Sequence, residues 1–179
     1  MEFRRLSESD LAMLHEWIHR PHVMEWWGEE AGCSTFEETR SKYLPRLPAE
    51  SPVEAHIALI AGEPIGFIQS YAALGCGDGW WEDETDPGVH GIDQFLADGT
   101  KLGQGIGTTM VSAFVRRLFR DPAVTRVQTD PDPRNARAIR CYEKAGFRAL
   151  REVTTPAGLA LLMAIDRPST GYADSLEKG

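Results

Sequence analysis

Along the chain the spacing of apolar side chains switches between three-to-four-residue steps and strict alternation, and each switch marks an element boundary. Glu2–Leu6 predicts a short first strand. Ser7, followed three residues later by Asp10, opens a helix whose apolar face is Leu11, Leu14 and Ile18 and whose stop is Pro21. Ser34 and Glu37 start a second helix that Pro45 ends, and the WWGEEAGC run at 26–33 reads as an aromatic loop. From Val53 the period falls to two, so Val53–Ile60 and Pro64–Tyr71 are strands, joined as a hairpin through AGEP. A strand around Val89–Leu96 leads through ADGTKLGQGIG into a helix with Ile106, Met110, Ala113, Phe114 and Leu118 on its apolar side. Asp121-Pro122 stops that helix; Val124–Thr129 is the next strand, Asn135–Ala145 a helix, and Phe147–Val153 with Leu159–Ile165 a closing strand pair. The order is mixed α/β (α+β), one domain over residues 1–166 with a polar tail at 167–179.

Length agrees with one domain, since 179 residues bury roughly two-thirds or more of their unfolded surface and need no staple. Cys33, Cys76 and Cys141 are an odd set without a C-x-x-C pair, which argues against a disulfide framework or a structural zinc site. The start MEFRRLSESD has no apolar core of a signal peptide, and no stretch reaches the roughly 18 apolar residues of a membrane span. A soluble, cytoplasmic protein without a membrane partner is expected. The net charge of −8 is concentrated between Asp78 and Asp93, where Asp78, Glu82, Asp83, Glu84, Asp86 and Asp93 occur with no Lys or Arg. Such a segment repels nucleic acid, and with Trp80 and Trp81 beside the carboxylates it suits a cationic organic molecule.

Two segments sit at strand-to-helix junctions. In LGQGIGTTM, residues 102–110, Gly103, Gly105 and Gly107 allow a tight turn whose backbone N–H groups converge on phosphate oxygens at a helix N-terminus. The spacing is neither a P-loop nor the dinucleotide G-x-G-x-x-G, so another phosphate-bearing cofactor is indicated. The second segment, DPRNARAIRCYEKAGF at residues 132–147, resembles the N-x-x-A-x-x-x-Y-x-x-x-G-F signature of GCN5-related N-acetyltransferases, the GNAT superfamily. That resemblance implies a mixed sheet of about seven strands with flanking helices and a splayed parallel strand pair holding acetyl-CoA. Gly103, Gln104, Gly105, Ile106, Gly107 and Thr108 would then cradle the pyrophosphate, with Gln94, Phe95 and Leu96 on the strand beside the thioester. Asn135 would bond the pantetheine arm, and Tyr142 would lie near the sulfur. Leu102 departs from the superfamily's usual Arg or Gln at the start of the turn.

EWWG at 25–28, the run from Gln69 to Ala97 and IRCYEKAGF at 139–147 are similar, in order, to the aminoglycoside 6'-N-acetyltransferases, over nearly the whole chain to Asp166. The resemblance implies acetyl transfer to the 6'-amino group of kanamycin-, tobramycin- or amikacin-type antibiotics, and hence resistance. Asp93 would be the base, Tyr142 the acid, and Trp27, Tyr43, Asp78, Trp80, Asp93 and Asp130 would hold the aminoglycoside. Ser51 and Ala157 depart from acidic positions of the family's outer pocket. The expected partners are a cationic aminoglycoside and coenzyme A, with the chain a monomer or weak homodimer.

HEWIH, His15 to His19, spells the H-E-x-x-H of zinc proteases. Its third ligand is missing from the required spacing, because His22 follows His19 too closely and Pro21 intervenes, so no metal is expected. His56 and His90 are expected to be satisfied structural or surface residues. The alternatives are an acyltransferase of the same superfamily acting on a lysine-derived siderophore intermediate and, remotely, the zinc metalloprotease.

Overall fold

The computed structural model describes residues 1–27, 34–77 and 79–168. Among these, strands β1 (Glu2–Arg5), β2 (Val53–Ile60), β3 (Glu63–Ala72), β4 (Val89–Leu96), β5 (Arg126–Thr129), β6 (Arg148–Thr155) and β7 (Gly158–Asp166) form one sheet in the order β1-β2-β3-β4-β5-β7-β6. Helices α1 (Leu11–Ile18), α2 (Pro21–Trp27), α3 (Phe36–Tyr43), α4 (Ile106–Leu118) and α5 (Ala136–Lys144) flank it. Alternation along the strands divides the core between the two faces. Phe67 and Phe95 join Leu11, Leu14, Ile18 and Tyr43 on one face, while Ile68 and Ile92 join Met110, Phe114, Tyr142 and Met163 on the other. The β2–β3 hairpin closes at Ile60 and Glu63 through Ala61 and Gly62, both with positive φ, the turn that matches strand twist.

Three expectations are corrected. Pro21 does not lead into a loop: it opens α2, where its missing N–H costs nothing, and the helix carries Trp26 and Trp27 in its last turn. The cap of α3 is Thr35 and not Ser34, because Thr35 Oγ1 accepts from the Glu38 N–H at 3.2 Å while the Glu38 carboxylate accepts from the Thr35 N–H at 2.8 Å. β5 begins at Arg126, two residues later than the apolar pattern, since the Val124 N–H is bonded back to Asp121 O in the turn that leaves α4.

Among the described strands only β4 and β5 run parallel, and they are paired just from Val89–Gly91 to Arg126–Gln128. Beyond Gly91, β4 continues to Leu96 while β5 ends at Thr129, and the two part. This opening, set by a short β5, positions everything that follows.

Arg167, which composition assigns to the tail, closes the domain. Its guanidinium donates to Val124 O at 2.7 Å, to Phe119 O at 2.8 Å and to Asp121 O, and stacks over the Phe119 ring. A cation thus satisfies carbonyls at the C-terminal end of α4. Arg167→Ala is expected to lower unfolding free energy by about 2 kcal/mol in urea titration, as for charge-assisted bonds to partly buried acceptors.

His56 is 1% exposed and packs edge-on against Phe114; its Nδ1 pairs with Glu54 O at 3.3 Å, while its Nε2 has no partner among the described residues, so the satisfied role expected holds at one ring nitrogen. His90 Nδ1 is likewise without a partner among the described residues. Burial, reinforced by the Arg117 charge, pushes the His56 imidazole down to about 4 from 6.5. Between those values the unfolded chain takes up a proton that the folded chain refuses, so this contribution to stability is complete above 6.5 and is lost as pH falls toward 4. Urea midpoints measured across that range are expected to fall less steeply in His56→Phe.

Candidate active site

The turn at the open end of β4 has the geometry expected of a phosphate cradle. Gly103 and Gly105 have φ of 75° and 82°, and a Cβ on either would meet nothing within 4 Å, so it is backbone conformation that calls for glycine. Gly105 is the N-cap of α4, and the first intrahelical bond runs from Thr109 N to Gly105 O. The N–H groups of Ile106, Gly107 and Thr108 therefore have no helical acceptor and form the positive end of the helix dipole. Thr108 Oγ1 lies 3.7 Å from Cys141 Sγ, and a Cβ on Gly107 would lie 3.4 Å from the same sulfur, which ties α4 to α5 beneath the turn. These residues fit acetyl-CoA. Gln104 is exposed and donates to Thr100 O at 2.8 Å. Asn135 spends its Oδ1 capping α5 through the Ala138 N–H at 3.0 Å, leaving its NH2 group for a ligand.

Alternation sends Gln94 and Asp93 to opposite faces of β4 just where β5 leaves it. Phe95 and Leu96 point into the two core clusters, so any ligand contact they make at this strand is through backbone. On the α4 side, Tyr142 is 4% exposed and packs against Phe147, with Thr129 and Gln94 as the polar side chains that act on its hydroxyl. Burial pushes the Tyr142 phenol well above its ordinary value, and the Asp93 charge adds to the rise. A phenol held protonated this way can serve as an acid.

On the α1–α3 side, Asp93 is partly buried and its Oδ2 accepts from Gln69 Nε2 at 2.8 Å. Burial raises the Asp93 carboxyl above the ordinary range, while the Gln69 bond and the charges of Arg46 and Lys42 oppose the rise. Tyr71, also on β3, lies across Gly91: a Cβ there would come within 2.3 Å of its ring, so glycine is the residue that lets the phenol cover the strand. Burial, then the charges of Asp93 and Asp130, hold Tyr71 protonated.

The other expected aminoglycoside residues divide. Trp80 lines an open pocket of about 520 Å³ with Trp81, Glu82 and Glu84, the acidic aromatic surface read from the sequence. Asp130 follows β5, and its charge, like that of Asp93, is felt by the Tyr71 and Cys76 side chains. Trp27 packs edge-on against Phe95 at 4.9 Å and Phe67 at 6.0 Å, half in the core. Tyr43 is fully buried, with its ring against Phe67 and the Arg46 guanidinium over it, so it lies under the site and not on its wall. Asp78 falls outside the described residues.

Sequence reasoning missed Arg46, Gln69 and Tyr71. Gln69 and Tyr71 share the face of β3 that carries Phe67, a visible signal, but their register against Asp93 and Gly91 depends on the long connection between β3 and β4. HEWIH is structural in geometry. His15 Nδ1 pairs with Thr39 Oγ1 at 2.8 Å, His19 Nδ1 with His15 O at 2.7 Å, and Glu16 with Arg20 at 2.7 Å. Among the described residues no three His, Cys, Asp or Glu side chains are grouped to hold a metal.

A model of the acetyltransferase (GNAT) domain matches residues 7–155. The aminoglycoside N(6')-acetyltransferase type 1 of Klebsiella pneumoniae is 56% identical over 164 residues, covering 92% of this chain and 82% of the relative. The crystal structure of aminoglycoside acetyltransferase AAC(6')-Ib in complex with coenzyme A and kanamycin has a TM-score of 0.86 and 55% identity, covering 92% of this chain and 94% of that one. The structure of AAC(6')-Ib with ribostamycin and coenzyme A has a TM-score of 0.89 and 54% identity, covering 97% of each chain. On sequence and fold together, this chain belongs to the GNAT acetyltransferase family, in its aminoglycoside N(6')-acetyltransferase branch.

Proposed function

We propose that the enzyme acetylates the 6'-amino group of kanamycin-, tobramycin- and amikacin-type aminoglycosides by direct attack in a ternary complex, with Asp93 as base and Tyr142 as acid. The observation that carries the reading is the pairing of these two groups on opposite sides of β4, within electrostatic reach of each other, at the point where β5 diverges. Acetyl-CoA supplies the activated acetyl thioester, held on the N–H groups of 106–108 and between the parted strands. Asp93 accepts a proton from the substrate nitrogen, directly or through water, and Tyr142 returns one to the departing thiolate, Gln94 and Thr129 orienting its hydroxyl. Trp80, Asp78, Asp130 and the carboxylates of 82–86 gather the polycation, with Trp27 and Tyr43 supporting the floor.

All these groups lie in one chain, so a monomer or weak homodimer suffices, and the cytoplasm, where acetyl-CoA is available, is the site of action. The acidic surface disfavours nucleic acid, and no helix among the described residues is long and apolar enough to cross a membrane. The test is thiol release from acetyl-CoA with kanamycin or tobramycin as acceptor, run with and without EDTA. Rapid, chelator-insensitive and salt-weakened release supports the reading. No release with any aminoglycoside, while coenzyme A still binds, overturns it in favour of a different amine such as a lysine-derived one.

A further inference from the structure

A guanidinium lies inside a site built for a polycation. Arg46 ends the 3-10 turn Leu44–Arg46 that follows α3, and its charge stacks 4.9 Å above the Tyr43 ring, itself fixed edge-on against Phe67. From there Arg46 donates to Gln69 Oε1 at 2.6 Å, and Gln69 Nε2 donates to Asp93 Oδ2 at 2.8 Å. Gln69 is only 7% exposed. The chemistry of the ends determines the orientation of the middle. A guanidinium has donors alone and an ionised carboxylate acceptors alone, so the Gln69 amide can be placed in one way only, oxygen toward Arg46 and nitrogen toward Asp93. A buried amide held at both ends keeps Oδ2 occupied and leaves Oδ1 to face the substrate.

We propose that Arg46 is a positioning and specificity residue for the acetyl transfer: through Gln69 it orients the Asp93 carboxylate, and its own charge keeps ammonium groups of the aminoglycoside away from the floor above Tyr43. The inference rests on the reading of Asp93 as base. Without Arg46 the Gln69 oxygen is a buried acceptor with no donor, and the amide gains nothing by staying in its present orientation. Asp93 feels the charges of Lys42 from α3 and Arg46 from the turn after it, and its own charge is felt by Tyr71 and Cys76 from β3 and the loop beyond and by Tyr142 from α5, Asp130 after β5 acting on the same Tyr71 and Cys76. Among these, Arg46 and Lys42 hold its carboxyl down and burial drives it up. Removing Arg46 therefore moves its ionisation to higher pH.

The two roles of Arg46 lower kcat and KM together when it is removed, whereas loss of packing lowers kcat and raises KM. In Arg46→Met, which keeps an apolar stem on Tyr43, kcat with kanamycin is expected to fall by about 10-fold, within the roughly 100-fold that a displaced reacting group can cost. KM for kanamycin is expected to fall as well, because a repelling charge is gone, and the acid limb of the kcat/KM profile to move to higher pH. Arg46→Lys retains charge and donor, and is expected to restore the limb and part of kcat even if the Met variant is less stable. The experiment is the pH profile of thiol release for wild type, both Arg46 variants and Asp93→Asn. An unmoved limb with unchanged kcat in Arg46→Met, alongside a slow Asp93→Asn, overturns the role of Arg46 and leaves the base in place. A fully active Asp93→Asn overturns both.

Discussion

Asp93→Asn is expected to lower kcat by about 10²- to 10⁴-fold, the usual contribution of a general base, while leaving the enzyme folded and able to bind acetyl-CoA. The geometry makes this substitution more than a loss of charge. Gln69 Nε2 donates to Oδ2 of Asp93 and stays pointed there by its bond to Arg46, so an Asn at this position must turn its own oxygen toward Gln69. Its NH2 group is then presented to the substrate nitrogen, a donor where an acceptor is needed. KM for kanamycin is expected to rise too, because a carboxylate facing a cation has been removed. The pH profile separates the base from a merely attractive charge. Burial raises the Asp93 carboxyl above 3.8, so the wild-type kcat/KM should decline on the acid side at a pH above the ordinary carboxylate range. That limb should vanish in Asp93→Asn while the limb of the substrate amine remains. A variant with wild-type kcat and an unaltered acid limb removes Asp93 from the proton transfer.

The sequence made the site's cofactor half legible because its determinants are local. Glycines at 103 and 105 report a left-handed backbone by residue type alone, and the Asn135 to Phe147 signature keeps cap, phenol and Gly146 in one helix and its exit. The aminoglycoside half depends on distant register. Gln69 meets Asp93, and Tyr71 meets Gly91, only because β3 and β4 pair across the connection at 73–88, whose length and composition carry no pairing rule. Arg46 was invisible for a related reason: an Arg after a Pro in a polar turn reads as surface, and nothing in the local pattern says that a 3-10 turn swings it over Tyr43.

The errors in the fold have equally local causes. Proline ends a helix from within but also suits a first turn, so the residue that marks the end of α1 also begins α2, and Trp26 and Trp27, expected in a loop, lie in that helix. Adjacent Ser34 and Thr35 both offer capping-box spacing, with Glu37 and Glu38 respectively, and tertiary position rather than chemistry selects Thr35. Arg167 reads as polar in composition, while its bonds go to three carbonyls between the C-cap of α4 and the turn before β5 that no sequence window contains.

Tyr142→Phe is expected to reduce kcat by about 10²-fold or more with little change in KM for either substrate, because the hydroxyl matters when the thiolate leaves and not when the substrates bind. The ring itself is core, packed at 5.4 Å from Phe147, and phenylalanine keeps that contact. Removing a hydroxyl from a residue only 4% exposed also lowers stability, by about 1 kcal/mol. Stability and catalysis must therefore be read separately, with urea unfolding for one and thiol release below the transition for the other. The discriminating readout is the acyl donor. An acetyl thioester with a more acidic leaving thiol needs less proton transfer at departure, so the gap between wild type and Tyr142→Phe should narrow with it. If the phenol only packs, the two donors show the same ratio and kcat follows the folded fraction. Burial keeps Tyr142 protonated throughout the working pH range, so its absence should scale the whole pH profile downward without displacing the acid limb that belongs to Asp93. A displaced limb in Tyr142→Phe would instead mean that the two groups share one proton, and that neither acts alone.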